Sequence, residues 1–259
     1  CSIPVKAMIG DQQAALVGQA CFKKGMVKST YGTGCFMLMN TGHQAVLSTN
    51  RLLTTIAYSL DGEYHYALEG SIFVAGAAVQ WLRDGLALFD QASDSEALAQ
   101  QLDDNQGVYF VPALTGLGAP YWRPDVRGAI VGLGRDTGQA HIARAALEAQ
   151  AYQTRDLIAA MTSDTGEAQS VIRADGGLIA NQFVCQFLAD ILQTPIDVPA
   201  VTEATAWGAA SLAGLGAGVF ADLDDIAEQW QKQQHFAVHM PSEEADVLYT
   251  GWQQAVRSL

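Results

Sequence analysis

Three short segments hold the residues best suited to chemistry. Gly10-Asp11-Gln12-Gln13 stands where a strand-like run ends and a helical pattern begins. Asp11 admits two readings. Its side chain can cap the helix by accepting a backbone N–H. Alternatively, its carboxylate faces a ligand from the carboxyl end of a strand, where open α/β sheets place such groups, and the helix N-terminus keeps it ionised. Tyr31-Gly32-Thr33-Gly34-Cys35-Phe36 is a tight turn between two strand-like runs. It is either a plain hairpin or a phosphate-facing one. In the second case the glycines let backbone approach an anion, and the Thr33 hydroxyl and nearby amides donate to it. Asp175-Gly176-Gly177, with Asn181 beyond, closes a short apolar strand and opens a helix. It is a helix-opening turn or a place where backbone approaches adenosine or its phosphates.

Composition narrows what these segments can bind. The 259 residues include 14 Lys+Arg against 27 Asp+Glu, a net charge of −13, with no basic run. Nucleic acid and anionic membrane are therefore not expected partners. A phosphate bound here must rely on backbone N–H groups, helix N-termini and a metal. Cys1, Cys21, Cys35 and Cys185 are scattered without metal-ligand spacing and read as buried, reduced thiols. Of His43, His65, His141, His235 and His239, only His235 and His239 are four apart. No third ligand accompanies them, so they read as a solvated pair and no metal site is expected. Trp81, Trp122, Trp207, Trp230 and Trp252 read as core or interface. No apolar stretch is long enough to span a bilayer, and no basic n-region or cleavage site opens the chain, so a cytoplasmic location is expected. Cys1 leads almost directly into an apolar run, which reads as a cut chain.

The elements that must position these residues follow from periodicity. Candidate strands cover 5–9, 26–31, 35–40, 52–58 and 64–69, the last two joined by Leu60-Asp61-Gly62-Glu63, a strong hairpin signal. A short helix is expected over 12–22. After Gly70 helices and strands alternate: helices over 72–89 and 95–102, apolar β-rich runs at 108–114 and 129–133, and a long amphipathic helix over 141–161 stopped by Asp164-Thr165-Gly166. A buried strand at 171–174, a helix over 181–192, a strand at 195–198 and a small-residue helix over 205–214 come next. The tail from 223 to 259 reads as helical with a break near Pro241. A β-meander followed by αβα units fits an α/β domain with a mixed five-stranded sheet and helices on both faces.

Taken together, the motifs are specific. Residues 10–16 (GDQQAAL), 30–42 (TYGTGCFMLMNTG), 116–122 (GLGAPYW) and 175–181 (DGGLIAN) resemble the glycerol kinases over essentially the whole chain. Residues 128–133 (GAIVGL), with His141-Ile142 and Ala145-Ala146-Leu147-Glu148, are similar to the second signature of the wider FGGY carbohydrate kinase family. The resemblance implies two actin-like (ribonuclease H-like) domains flanking a cleft. Residues 1–259 would be the C-terminal, nucleotide-binding one. The N-terminal substrate domain, with a phosphate loop, further glycerol ligands and the principal Mg2+ aspartate, would precede Cys1.

The reaction implied is transfer of a phosphoryl group from ATP, with Mg2+, to glycerol, in a cytoplasmic and homo-oligomeric enzyme. In that pattern Asp11 is the catalytic base, Gln12 holds glycerol beside it, and Phe36 packs on the glycerol carbons. Thr33 contacts the nucleotide phosphates, with Gly76 and Gln80 on the following helix, while Gly177 and Asn181 lie at the adenosine end. Such a fragment alone is expected to be inactive. Two rivals are an FGGY kinase for another polyol or sugar, of the xylulose or gluconate type, and a non-catalytic actin-like nucleotide-binding module. Phe36 and the 116–122 stretch argue against the first, and the Asp11-Gln12 pair against the second.

Overall fold

The computed structural model describes residues 3–169 and 171–259. Strands β1 (Met26–Tyr31) and β2 (Cys35–Gly42) pair antiparallel across the Gly32-Thr33-Gly34 turn. Strands β3 (Leu53–Leu60) and β4 (Glu63–Ile72) form the second hairpin, and β4 joins β2. Asp61 and Gly62 both take left-handed backbone, with φ 52° and 85°. That is the two-residue loop whose twist matches the flanking strands. A small separate sheet pairs β5 (Tyr109–Val111) with β6 (Ala129–Val131).

The main sheet continues through β7 (Val171–Asp175), parallel to β1, and β8 (Ile196–Pro199), parallel to β7; β9 (Lys232–Phe236) closes that edge antiparallel to β8. The result is a seven-stranded mixed sheet in the order β3-β4-β2-β1-β7-β8-β9, not the five strands expected. One source of the difference is β9, which lies in the tail where the sequence pattern predicts helix. Lys232-Gln233-Gln234-His235-Phe236 has no apolar alternation because it is an exposed edge strand with little to bury. Residues 5–9 also depart from expectation and pair with no strand, and Val5 and Met8 are exposed.

Helices cover both faces. On one lie α1 (Asp11–Gly18) and α6 (Ala204–Ala217), with α7 (Leu223–Glu228) beside them over a small core of Leu16, Val17, Met26, Leu38 and Leu212. On the other lie α2 (Gly76–Asp84), α3 (Asp94–Ala99), α4 (Gln139–Thr165), α5 (Gln182–Leu192) and α8 (Ser242–Arg257) over the larger core. Helix α4 runs nearly its whole length buried and ends at Gly166 in the left-handed C-cap conformation, at the stop expected. Alternation along β1 and β2 serves both cores, with Val27, Tyr31, Met37 and Met39 in the larger and Met26 and Leu38 in the smaller. Among the described residues no helix is long and apolar enough to cross a membrane.

Candidate active site

Parallel strands β1 and β7 end side by side, with Thr30 opposite Asp175. The turns that follow them are therefore neighbours at the carboxyl edge of the sheet. Gly176 presses directly on the end of β1: its φ is 97°, and a Cβ there would lie 2.4 Å from the Tyr31 carbonyl oxygen. Only glycine fits that position. Gly177 differs, because a Cβ on it would meet nothing within 4 Å. It borders an open cleft of about 510 Å³ that Thr33, Gly76, Gln80, Gly177 and Asn181 line together, with Arg83 from the same helix. All five residues expected on the nucleotide side are thus brought to one cavity.

The Gly-x-Gly turn does two jobs there. The Gly32 carbonyl accepts from Gly76 N (2.9 Å), and the Thr33 carbonyl accepts from Ala75 N (2.8 Å) and Ala77 N (3.1 Å). The turn therefore caps α2 with its own backbone, and these amides already have partners. What it presents outward is the exposed Thr33 side chain. Asn181 is the N-cap of α5: its Oδ1 accepts from Val184 N at 3.1 Å, so the donor it can offer a ligand is Nδ2.

The residues expected on the acceptor side, Asp11, Gln12 and Phe36, gather on the α1 face of the sheet. Gly10, not Asp11, occupies the N-cap of α1, so Asp11 is the first helical residue. Its Oδ1 accepts from Gln12 N at 2.8 Å and its Oδ2 lies 3.4 Å from Gln12 Nε2. Phe36 lies on β2 opposite Thr30, with its ring 40% exposed. Lys28, which lies in none of the motifs' ligand positions, joins these elements. Fully buried on β1, it donates from Nζ to Gln12 Oε1 (2.5 Å), Thr30 Oγ1 (3.2 Å) and the Phe36 carbonyl (3.2 Å). Gln19 is likewise outside those positions; its Nε2 donates to Asp175 Oδ2 at 2.5 Å, while Trp230 Nε1 donates to its Oε1 at 3.1 Å. The signal for Lys28 is that it is the one charged residue between Met26 and Gly42.

Burial dominates the electrostatics of this face. It lowers the Lys28 ammonium below its ordinary value, opposed by Asp175, Cys35 and Glu69. It raises Asp175, against hydrogen bonds from Thr30 and Gln19 and the charge of Lys28. Glu69, half-buried on β4, is raised by burial and by Asp11, with Lys28 pulling the other way. The thiols of Cys21 and Cys35 are pushed up to about 12 by burial, which makes them inert packing groups. Cys185 is likewise buried and unpaired, while Cys1 lies outside the described residues. His235 bonds Asp197 Oδ1 through Nδ1 at 2.6 Å, on an edge remote in sequence from the motifs. Among the described residues no group of three or more His, Cys, Asp or Glu could hold a metal ion.

The sheet, its two helical layers and a cleft at the carboxyl ends of β1 and β7 are those of an actin-like, ribonuclease H-like domain. Residues 27–217 match the C-terminal domain of the FGGY family of carbohydrate kinases, and the chain belongs to that family. It is 62% identical over 256 residues to glycerol kinase 1 of Pseudomonas aeruginosa, covering 99% of this chain and 52% of that protein. With the glycerol kinase of Nitrosomonas eutropha the identity is 60% over 257 residues, at 99% and 52% coverage. The chain thus spans about half the length of the curated relatives it matches. The crystal structure of Plasmodium falciparum glycerol kinase with ADP superposes with a TM-score of 0.93 at 41% identity, covering 99% of this chain and 51% of that one. A xylulose kinase from Rhodospirillum rubrum gives 0.84 at 25% identity, covering 97% and 50%.

Proposed function

We propose that this chain is the nucleotide-binding part of an ATP-dependent glycerol kinase, forming sn-glycerol 3-phosphate and ADP together with a preceding substrate domain. One observation carries the reading: Asp11 and Gln12 are tied through Lys28 to the same strand, β1, whose end turns through Thr33 into the cleft. A carboxylate and an amide are thus anchored to the strand whose following turn lines a nucleotide-sized cavity, in a chain more than half identical to glycerol kinases.

Phosphoryl transfer passes through a loose transition state, so the protein chiefly positions groups and neutralises charge. Asp11 would accept the proton of the attacking glycerol hydroxyl. Gln12 holds Asp11 in orientation and binds the hydroxyl, and Phe36 packs against the glycerol carbons. Thr33 donates to the nucleotide phosphates, while Gly76, Gln80, Gly177 and Asn181 seat the rest of ADP. Mg2+ would enter with the nucleotide and neutralise phosphate charge, since the described residues supply no metal cluster of their own. A cytoplasmic enzyme that assembles from several copies fits the same reading.

The test is Asp11→Asn in the intact enzyme, which keeps size and removes the proton acceptor. The expected fall in kcat is about 10²–10⁴, with ATP affinity unchanged. Retention of more than about a tenth of kcat would return Asp11 to the role of a first-turn helix residue. Assays with glycerol, xylulose and gluconate side by side fix the acceptor, and a preference for either sugar acceptor would replace glycerol.

A further inference from the structure

We propose that Lys28 is a positioning residue for the acceptor side of the site, deciding which end of the Gln12 carboxamide faces Asp11. The inference rests on the kinase reading above. Lys28 sits in the middle of β1 with no exposed surface. A buried ammonium is tolerated only where its protons find acceptors, and here the three acceptors are all oxygens, from Gln12, Thr30 and Phe36. An ammonium donates and never accepts. Only the carbonyl end of Gln12 can therefore face it, at 2.5 Å, and the NH2 end is turned to Asp11 Oδ2, at 3.4 Å.

The reversed amide would set N–H groups against the ammonium and leave the buried charge short of an acceptor. It would also turn an oxygen toward the Asp11 carboxylate. Asp11 favours the same orientation, but across 3.4 Å, so Lys28 at 2.5 Å is the closer of the two groups that set it. The same ammonium holds the Phe36 carbonyl, so it ties α1 to β2, the two elements that carry Gln12 and Phe36. Lys28 touches neither ligand in this reading; it acts through Gln12.

The experiment is a double-mutant cycle in the intact enzyme, with Lys28→Met, Gln12→Ala and the pair, read as KM for the acceptor and KM for ATP. Lys28→Met should raise the acceptor KM about three- to tenfold and leave the ATP KM in place. In the Gln12→Ala background it should change the acceptor KM no further, because the group it orients is gone. Lys28→Arg, still a pure donor, should recover part of the loss. An equal factor in both backgrounds would mark Lys28 as merely structural and overturn the proposal, as would an unmoved acceptor KM. If Lys28→Met does not fold, Gln12→Glu reads the contact from its other side. Its carboxylate keeps a partner for Lys28 but offers no N–H, so the acceptor KM must rise while the melting temperature holds; an unchanged KM sinks the idea. Failure of the base assignment shows separately, in the kcat of Asp11→Asn with Lys28 and Gln12 intact.

Discussion

Gly18 on α1 and Gly208 on α6 touch backbone to backbone. A Cβ on Gly18 would lie 1.9 Å from the Ala204 carbonyl oxygen, and one on Gly208 would lie 1.8 Å from that of Ala14. The two helices are therefore set against each other with no side chain between them at the crossing, and α1 carries Asp11 and Gln12 at its far end.

Gly208→Ala should force the helices apart. The expected cost is about 1–3 kcal/mol, the usual range for overpacking a tight contact, read as a lower urea midpoint. Because α1 shifts with its residues, the intact enzyme should also show a raised acceptor KM. A midpoint equal to wild type would mean that α6 moves away freely.

Gly176 and Gly177 should respond in opposite ways although they are adjacent. This chain alone is expected to bind Mg-ADP with a Kd on the order of 1 mM. Gly177→Val should abolish that binding without moving the melting temperature, since its side chain enters open cleft. Gly176→Val should instead prevent folding, given φ 97° and the Tyr31 carbonyl against it. Calorimetry of the wild type showing no heat at millimolar Mg-ADP would remove the cleft assignment.

Arg144 secures the wall of the cleft formed by α3. Its Nε bonds Glu148 Oε1 at 2.6 Å inside the protein, and its other nitrogens reach the carbonyls of Ala99, at the end of α3, and of Leu102 and Asp103 just past it. Arg144→Met would leave Glu148 buried without its counter-charge, at a cost of about 3–5 kcal/mol. Adding Glu148→Gln should restore much of that loss in thermal denaturation. Equal stability of the single and double variants would show that the carbonyl contacts, not the charge, carry the effect.

Asp156 makes stability depend on pH. It accepts from Tyr249 Oη (2.6 Å) and Trp252 Nε1 (2.9 Å), binding α8 to α4. Burial nevertheless raises its pKa from 3.8 to about 6, against those bonds, one from Tyr121 and the charge of Arg155. The folded protein thus holds this proton more tightly than the unfolded chain. Its contribution to stability is greatest below pH 4, falls between pH 4 and 6, and stays low above. Asp156→Asn does not titrate, so from pH 4 to pH 7.5 its stability relative to wild type should rise by up to about 3 kcal/mol. A constant difference across that range would mean that Asp156 is not strained by ionisation.

Much of this architecture is legible in the residues, where local chemistry decides it. Asp61-Gly62 specifies its hairpin, Gly166 its helix stop, and Thr33, Gly76, Gln80, Gly177 and Asn181 line one cleft, while Asp11, Gln12 and Phe36 do not line it. What escaped depends on partners distant in the chain. Residues 5–9 are apolar enough for a strand but have no neighbour to pair with, and β9 is polar yet pairs with β8. The cap and ligand readings of Asp11 share one sequence pattern, and the backbone of Gly10, which holds the N-cap, is what separates their positions. The role of Lys28 depends on α1 folding over β1, because its acceptor on Gln12 lies 16 residues away.

The alternation of β1 also sets where the chain tolerates changes of length. Met26, Lys28 and Thr30 serve the α1 side and Val27, Ser29 and Tyr31 the α4 side. Inserting or deleting a single residue between 26 and 31 would exchange the two sets, driving a lysine into the large core and a tyrosine beneath Gln12. Length variants of this domain should therefore fold when the change falls in an exposed connection such as 133–136, and fail to fold when it falls within these six positions.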